Sequence, residues 1–248
     1  LAALGTTLHR LGQRETGTET LEKALAVFDR ALALTDKTAQ PGLWAGRMND
    51  RGLVLYALGL RQPGVAQLQE ALDSYRATLA MRNRDTDPGG WATTLLNMAN
   101  ASSMIAIRGS DAESFVQAAD AYRRAMEVFD KGRAPRKWGV AQNNLGIVLK
   151  HIGILNRDAT AFEASLEAFD AALGVLDSHA QTRNWARTVT NRSSALYEYA
   201  LLTGRSEPVD EAIGDLEAVL SVLTPGQSPR EWAIMWSSLG RALLLKGK

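Results

Sequence analysis

An apolar stripe at helical spacing returns five times along this chain. Leu21, Ala24, Leu25, Phe28, Ala31 and Leu32 stand at i, i+3, i+4, i+7, i+10 and i+11, the pattern of one face of an amphipathic helix. The same places hold Leu68, Ala71, Leu72, Tyr75, Thr78 and Leu79, then Phe115, Ala118, Ala119, Tyr122, Ala125 and Met126. Phe162, Ser165, Leu166, Phe169, Ala172 and Leu173 form the fourth copy, and Val209, Ala212, Ile213, Leu216, Val219 and Leu220 the fifth. Tryptophans keep the same beat: Trp44, Trp91, Trp138, Trp185 and Trp232 lie 47 residues apart, with no insertion or deletion. Pro41, Pro88, Pro135 and Pro229 each precede a tryptophan by three residues, and Thr182 takes that place before Trp185. A fixed period of about 20–50 residues is the signature of stacked repeats.

The register divides the chain into a partial unit 1–40, full units 41–87, 88–134, 135–181 and 182–228, and a partial unit 229–248. Each unit predicts two helices. The first opens at the proline, whose missing N–H would be unpaired there anyway. In the fourth unit Trp138, Ala141, Leu145, Val148, Leu149 and Ile152 carry it to Gly153. Asp87 is a suitable N-cap for the helix at Pro88. Ser228-Pro229-Arg230-Glu231 and Ser110-Asp111-Ala112-Glu113 read as capping boxes, and Ser206 ahead of Pro208 marks another start. Polar segments such as Arg84-Asp85-Thr86-Asp87 separate the units, and no strand-like alternation occurs. The expectation is eleven helices, all α, in one array over 1–248 with no internal boundary.

Trp236-Ser237-Ser238-Leu239-Gly240, Asn144-Leu145-Gly146, and the spacing Ala24…Phe28…Ala31 or Ala118…Tyr122…Ala125 resemble the tetratricopeptide repeat, whose pattern is W-x₂-L-G-x₂-Y followed by A-x₃-F. The resemblance covers the whole chain and implies a right-handed α-α superhelix that binds protein or peptide. At 47 residues the unit exceeds the family's usual length of about 34, so both helices should be longer by one to two turns. Long units with a P-x-x-W-A start are similar to those of bacterial multidomain proteins that carry a protease-like or cyclase effector. That similarity implies a segment of a larger signalling or effector protein. It leaves a regulatory arm or a self-assembling solenoid as alternatives.

For the tryptophans the favoured reading is packing, each indole wedged against the second helix of the preceding unit. A binding site rarely repeats its anchor in every unit. Burial of an indole stabilises by roughly 4–6 kcal/mol at most. The small residues Ala24, Ala71, Ala118 and Ala212, with Gly52, Gly146 and Gly240, are expected at close approaches. Six residues after each tryptophan come Asp50, Asn97, Asn144, Asn191 and Ser238. Asn is a mediocre helix former. Its recurrence therefore suggests either amides that hold a peptide backbone, as the resemblance implies for a concave groove, or amides that bond adjacent helices. Leu53, Asn100, Ile147, Ser194 and Arg241, then Ala57, Met104, His151 and Glu198, should share that face. They vary between units, as a specificity surface would.

Composition narrows the picture. The chain has 28 basic and 27 acidic side chains and a net charge of +1, which speaks against nucleic acid or anionic membrane as the main partner. It has no cysteine, in keeping with a reducing, cytoplasmic setting. No apolar run approaches the roughly 20 residues of a membrane span, and no signal peptide is visible. The chain begins at Leu1, already inside a repeat, as a piece of a longer protein would. His9, His151 and His179 are scattered, so neither a metal site nor a histidine-based triad is expected. Glu15, Glu19 and Glu22, and Asp210, Glu211 and Asp215, fall near second-helix starts and read as solvated residues favoured by the helix dipole. No catalysis, cofactor or metal is expected. The partner is a protein or an extended peptide, with self-association through the open repeat ends as a further expectation.

Overall fold

The structure, a computed structural model, describes residues 1–176, 182–226 and 229–247. Among these there are eleven helices and no strand: α1 (Ala2–Gly12), α2 (Glu19–Ala33), α3 (Pro41–Arg61), α4 (Ala66–Leu79), α5 (Pro88–Gly109), α6 (Ala112–Met126), α7 (Pro135–Asn156), α8 (Ala159–Leu173), α9 (Thr182–Thr203), α10 (Glu207–Val222) and α11 (Pro229–Lys246). The long first helices open at the four repeating prolines and at Thr182, as the sequence predicts. Asp87 caps α5 by accepting from the Gly90 N–H at 2.9 Å.

Some boundaries differ from expectation. Ser110 is not the cap of α6. It ends α5 in the left-handed conformation, φ 52°, and Asp111 caps α6 instead by accepting from the Glu113 and Ser114 N–H groups. The first helix runs further than the capping-box reading allowed, which leaves Ser110 to terminate it. One repeat later α7 passes Gly153 and continues to Asn156; Arg157, φ 51°, terminates it and Asp158 caps α8. Ser206 stands at the N-cap of α10 but makes no side-chain cap bond. Ser228 and His179 lie outside the described residues.

The second-helix stripes form the core. Leu21, Ala24, Phe28 and Ala31 are buried, as are Leu68, Ala71, Tyr75 and Thr78 and their counterparts on α6, α8 and α10. Each full apolar side chain so buried contributes about 1.5–3 kcal/mol. Hairpins close antiparallel through glycines. A Cβ added at Gly52 would lie 2.6 Å from Tyr75 Cε1, and one at Gly59 2.7 Å from Leu68 Cδ2. Gly146 and Gly153 meet Phe169 and Phe162 in the same way, so a side chain at any of these positions would require the facing residue to shift. Gly240 departs from the expectation for it, because nothing lies within 4 Å of its added Cβ.

The chain comprises two compact units, Leu1–Val128 and Phe129–Lys248. In the first, each of α1 to α6 packs on the next, and the first helices α1, α3 and α5 also touch in succession. In the second, α7 to α11 repeat the scheme, with α7, α9 and α11 in succession. Among the described residues no helix is long and apolar enough to cross a membrane.

Glu211 and Asp215 are not simply solvated helix-end residues. Both grip Arg192, at 3.0 and 2.7 Å, together with Asp170 at 2.6 Å. A carboxylate on the second helix faces the middle of the long first helix, where the arginine stands. Three repeats earlier Arg51 reaches Asp29 at 2.6 Å, Glu70 at 3.5 Å and the Ser74 hydroxyl at 2.9 Å. Near the end of the chain Leu245 packs against the core of the second unit. Leu243 and Leu244 are exposed.

Candidate functional site

The five tryptophans do not form an open aromatic ladder. Trp91 is 9% exposed, Trp185 packs against the core of the second unit, and Trp44, Trp138 and Trp232 are half-buried. A cation lies over three of the indoles. Lys37 Nζ is 4.6 Å from the Trp44 ring centroid, Arg84 5.2 Å from that of Trp91, and Lys131 5.8 Å from that of Trp138. Each cation stands seven residues before its tryptophan, in the turn after the preceding second helix. Arg124 adds a second cation near Trp91, at 5.4 Å. Such contacts contribute about 0.5–1 kcal/mol at exposed sites, and an indole face so occupied is a packing element.

The asparagine ladder makes bonds between first helices. Asn97 Nδ2 donates to Asn49 Oδ1 at 3.1 Å, and Asn191 Nδ2 donates to Asn143 Oδ1 at 3.0 Å. These bonds join α3 to α5 and α7 to α9, so the amides do bond adjacent first helices. Asn143 Nδ2 also donates to Asn144 Oδ1 at 2.9 Å. Asn49 and Asn143 are buried and escaped the sequence reading. The signal for them was the polar doublets Asn49-Asp50 and Asn143-Asn144, one residue ahead of the repeating position. Burial pushes the Asp50 carboxyl up, against a hydrogen bond from Asn49 and the charge of Arg82.

The first unit holds a hollow of about 510 Å³ walled by α3, α4, α5 and the end of α1. Four of the positions placed on one face by the repeat register line it: Leu53, Ala57, Asn97 and Asn100. Tyr56, Leu60, Arg61, Tyr75 and Gln13 complete the wall; of these five the sequence pointed only to Tyr75, and that as part of a second-helix stripe. Asn100 Oδ1 accepts from the Tyr122 hydroxyl at 2.5 Å. Arg61 is fixed by donating through Nη2 to the carbonyls of Gly12 and Glu15, at 2.8 and 2.9 Å. One repeat on, Arg108 donates likewise to the carbonyls of Leu60, Gln62 and Gly64. These arginines cap the end of the preceding first helix, so Arg61 reaches the hollow with its position set. Burial pushes the Tyr75 phenol up, reinforced by Tyr56 and the charge of Asp50. The phenol stays neutral.

The second unit arranges the corresponding residues otherwise. Lys150 Nζ donates to Ser194 Oγ at 3.2 Å. Glu198 Oε1 lies 3.8 Å from Arg241 Nη2, and the Arg241 guanidinium sits 4.5 Å from the Tyr197 ring centroid. Ser194, Tyr197, Leu216, Ser238 and Arg241 enclose only about 30 Å³. Ile147 and His151 are half-buried; burial, with the charge of Lys150, lowers the His151 pKa to about 4. Asn191 borders a separate hollow of about 370 Å³ with Arg187, Thr190 and Ile234. Among the described residues no group of three His, Cys, Asp or Glu side chains could hold a metal ion. The chain matches no family model and no curated protein.

Proposed function

We propose that this chain is a tetratricopeptide-type binding module from a larger bacterial cytoplasmic protein, and that the hollow of its first unit takes a segment of extended peptide. The observation that carries this reading is the lining: four positions deduced from the repeat, Leu53, Ala57, Asn97 and Asn100, wall one cavity of about 510 Å³. Its chemistry suits a peptide. Leu53, Ala57 and Leu60 offer apolar surface to a side chain, and the Gln13, Asn97 and Asn100 amides can both donate to and accept from a backbone. Such sites are mostly apolar with a few fixed polar groups. A mechanism of capture follows: first helices on a rigid array hold the amides in place, so little ordering is needed on binding.

The test is selection of a displayed peptide library on the 248-residue chain, followed by affinity measurement for the enriched sequences. Ala57→Trp fills the hollow and is expected to weaken the selected peptides at least tenfold, with folding unchanged by circular dichroism. Failure to enrich any sequence family, or affinities indifferent to Ala57→Trp, sinks the reading.

A further inference from the structure

Tyr75 is 1% exposed and lines the hollow of the first unit. One repeat later Tyr122 holds the same register position, and its hydroxyl donates to Asn100 Oδ1 at 2.5 Å. The residue 47 places before Asn100 is Leu53, a side chain without an acceptor. Among the described residues the Tyr75 hydroxyl has no hydrogen-bond partner. Leu53 itself lines the hollow, so the reach that takes Tyr122 to Asn100 brings the Tyr75 hydroxyl to that wall. Phe28 and Phe169 stand at this position in two other repeats, and their packing does without the oxygen. Buried polar groups are normally paired; this one is a donor left over at the edge of a cavity.

Asn97 adds the complementary group. Its Nδ2 donates to Asn49 Oδ1 at 3.1 Å, and among the described residues no donor reaches Asn97 Oδ1. The lining therefore offers a donor on Tyr75 and an acceptor on Asn97. A carboxylate matches only the donor. Arg61, the charged residue of the lining, does not make up the difference, because its Nη2 already donates to the Gly12 and Glu15 carbonyls and its Nη1 is buried. The charge of Asp50 also acts on the Tyr75 phenol, which disfavours a second anion beside it. A primary amide matches both groups, since it accepts through oxygen and donates through nitrogen. We propose that the hollow selects a side-chain amide, Asn or Gln, in the peptide that it binds, the Tyr75 hydroxyl donating to the amide oxygen and Asn97 Oδ1 accepting from the amide nitrogen. This selectivity rests on the peptide reading above and names the side chain that enters. Apolar walls such as Leu53, Ala57 and Leu60 discriminate weakly between side chains of like size, whereas a site that hydrogen-bonds its ligand rejects analogues lacking the bond. Tyr75 is thus the specificity-determining residue.

The probe is a displayed library of random peptides, selected in parallel on the native 248-residue chain and on Tyr75→Phe. That variant carries the residue found at positions 28 and 169 and should fold as the native chain does by circular dichroism. The native chain is expected to enrich peptides with Asn or Gln at one fixed position, and Tyr75→Phe to lose that preference. In an enriched peptide made synthetically, exchanging the amide residue for its acid, or for an apolar residue of similar size (Met for Gln, Leu for Asn), should weaken binding to the native chain by about tenfold or more. Tyr75→Phe should weaken the parent peptide by about as much and the apolar variant by less than about twofold. Enrichment of an acidic or apolar residue at the fixed position, in peptides that Ala57→Trp weakens, overturns the amide selectivity and leaves the peptide reading standing. Equal affinity of the parent peptide for native and Tyr75→Phe chains does the same. Failure to enrich any sequence family overturns both.

Discussion

The hollow of the first unit and its counterpart three repeats later share a scaffold and differ in what fills it. Tyr56 becomes Tyr197 in the second unit, so one wall is the same residue. Ala57 becomes Glu198, Asn100 becomes Arg241, Leu53 becomes Ser194 and Tyr75 becomes Leu216. The volume falls from about 510 to about 30 Å³. Arg241 lies along the Tyr197 ring and reaches toward Glu198. A repeat backbone therefore provides the same recess many times, and side-chain volume decides which recess stays open. The varied positions of the first helices set occupancy, whereas the glycines and second-helix aromatics set the fold.

Exchanging those side chains should produce the largest effect. Ala57→Glu with Asn100→Arg transplants the filling of the second unit into the first. A peptide selected on the native chain is expected to lose about a hundredfold in affinity, about 2.7 kcal/mol. Isothermal titration measures it, and retention of native affinity would mean that the peptide sits elsewhere.

The two arginine clusters contrast in the opposite sense, since here the second unit is the more demanding. Burial works against the Arg192 charge, yet Asp215 and Asp170 outweigh it and hold its pKa above the usual arginine value. Asp215 is only 21% exposed on its side chain, and burial pushes its carboxyl up despite Arg192. Arg192→Met leaves that carboxylate without its counter-charge beside Glu211 and Asp170. A loss of about 2–3 kcal/mol in unfolding free energy is expected, toward the lower range for a broken buried pair. Arg51→Met should cost about 1 kcal/mol or less. Its carboxylates are half exposed, and the Ser74 hydroxyl keeps its bond to the Glu70 carbonyl at 2.8 Å. Denaturant titration of both variants should separate them; equal losses would show that Asp215 is no more dependent on its partner than Ser74.

The repeat register made the scaffold legible before any coordinates. Pro41, Pro88, Pro135, Pro229 and Thr182 each begin a helix, and the five apolar stripes are the core. Pair chemistry was harder to read because it is traded between positions. Arg47 donates to the Thr35 hydroxyl, and one repeat later Arg82 donates to the Thr94 hydroxyl at 3.1 Å. Residues 35 and 82, and 47 and 94, are the same register positions with donor and acceptor exchanged. Either residue alone looks like noise. The cations over Trp44, Trp91 and Trp138 were visible at a constant offset of seven but lay in turns that the helical pattern ignores. The register placed Leu53, Ala57, Asn97 and Asn100 of the hollow on one face, but its size could not be read, since that depends on how Tyr56, Tyr75 and Asn100 share space.

Acid should affect both units through a histidine. Burial, with Arg61 near His9 and Lys150 near His151, holds each imidazole below its ordinary pKa. The unfolded chain therefore takes up these protons first. Stability present above about pH 6.5 is lost as the pH falls toward the folded value, about 4 for His151. For His151, which is partly exposed, solvent screening leaves an effect of roughly 1–2 kcal/mol. Asp215 acts with opposite sign, because its raised pKa makes ionisation oppose folding as the pH rises above the usual carboxylate value. Melting temperature measured from pH 7 to 4 should fall less steeply for His151→Gln, and less again when His9→Gln is added. An unchanged slope would place the acid sensitivity in the carboxylates.

The smallest expected effect separates the two roles of the asparagine ladder. Asn97 and Asn191 make the same inter-helix amide bond in their respective units, to Asn49 and Asn143. Replacing either by Ala removes one hydrogen bond and leaves a buried acceptor, so each should cost about 0.5–1.5 kcal/mol of stability. Only Asn97 also lines the hollow of about 510 Å³. A peptide seated there should bind several-fold more weakly to Asn97→Ala and with native affinity to Asn191→Ala, at matched losses of stability. If both variants bind the peptide alike, the ladder is a set of cross-braces between first helices, and recognition falls to the apolar wall of Leu53, Ala57 and Leu60.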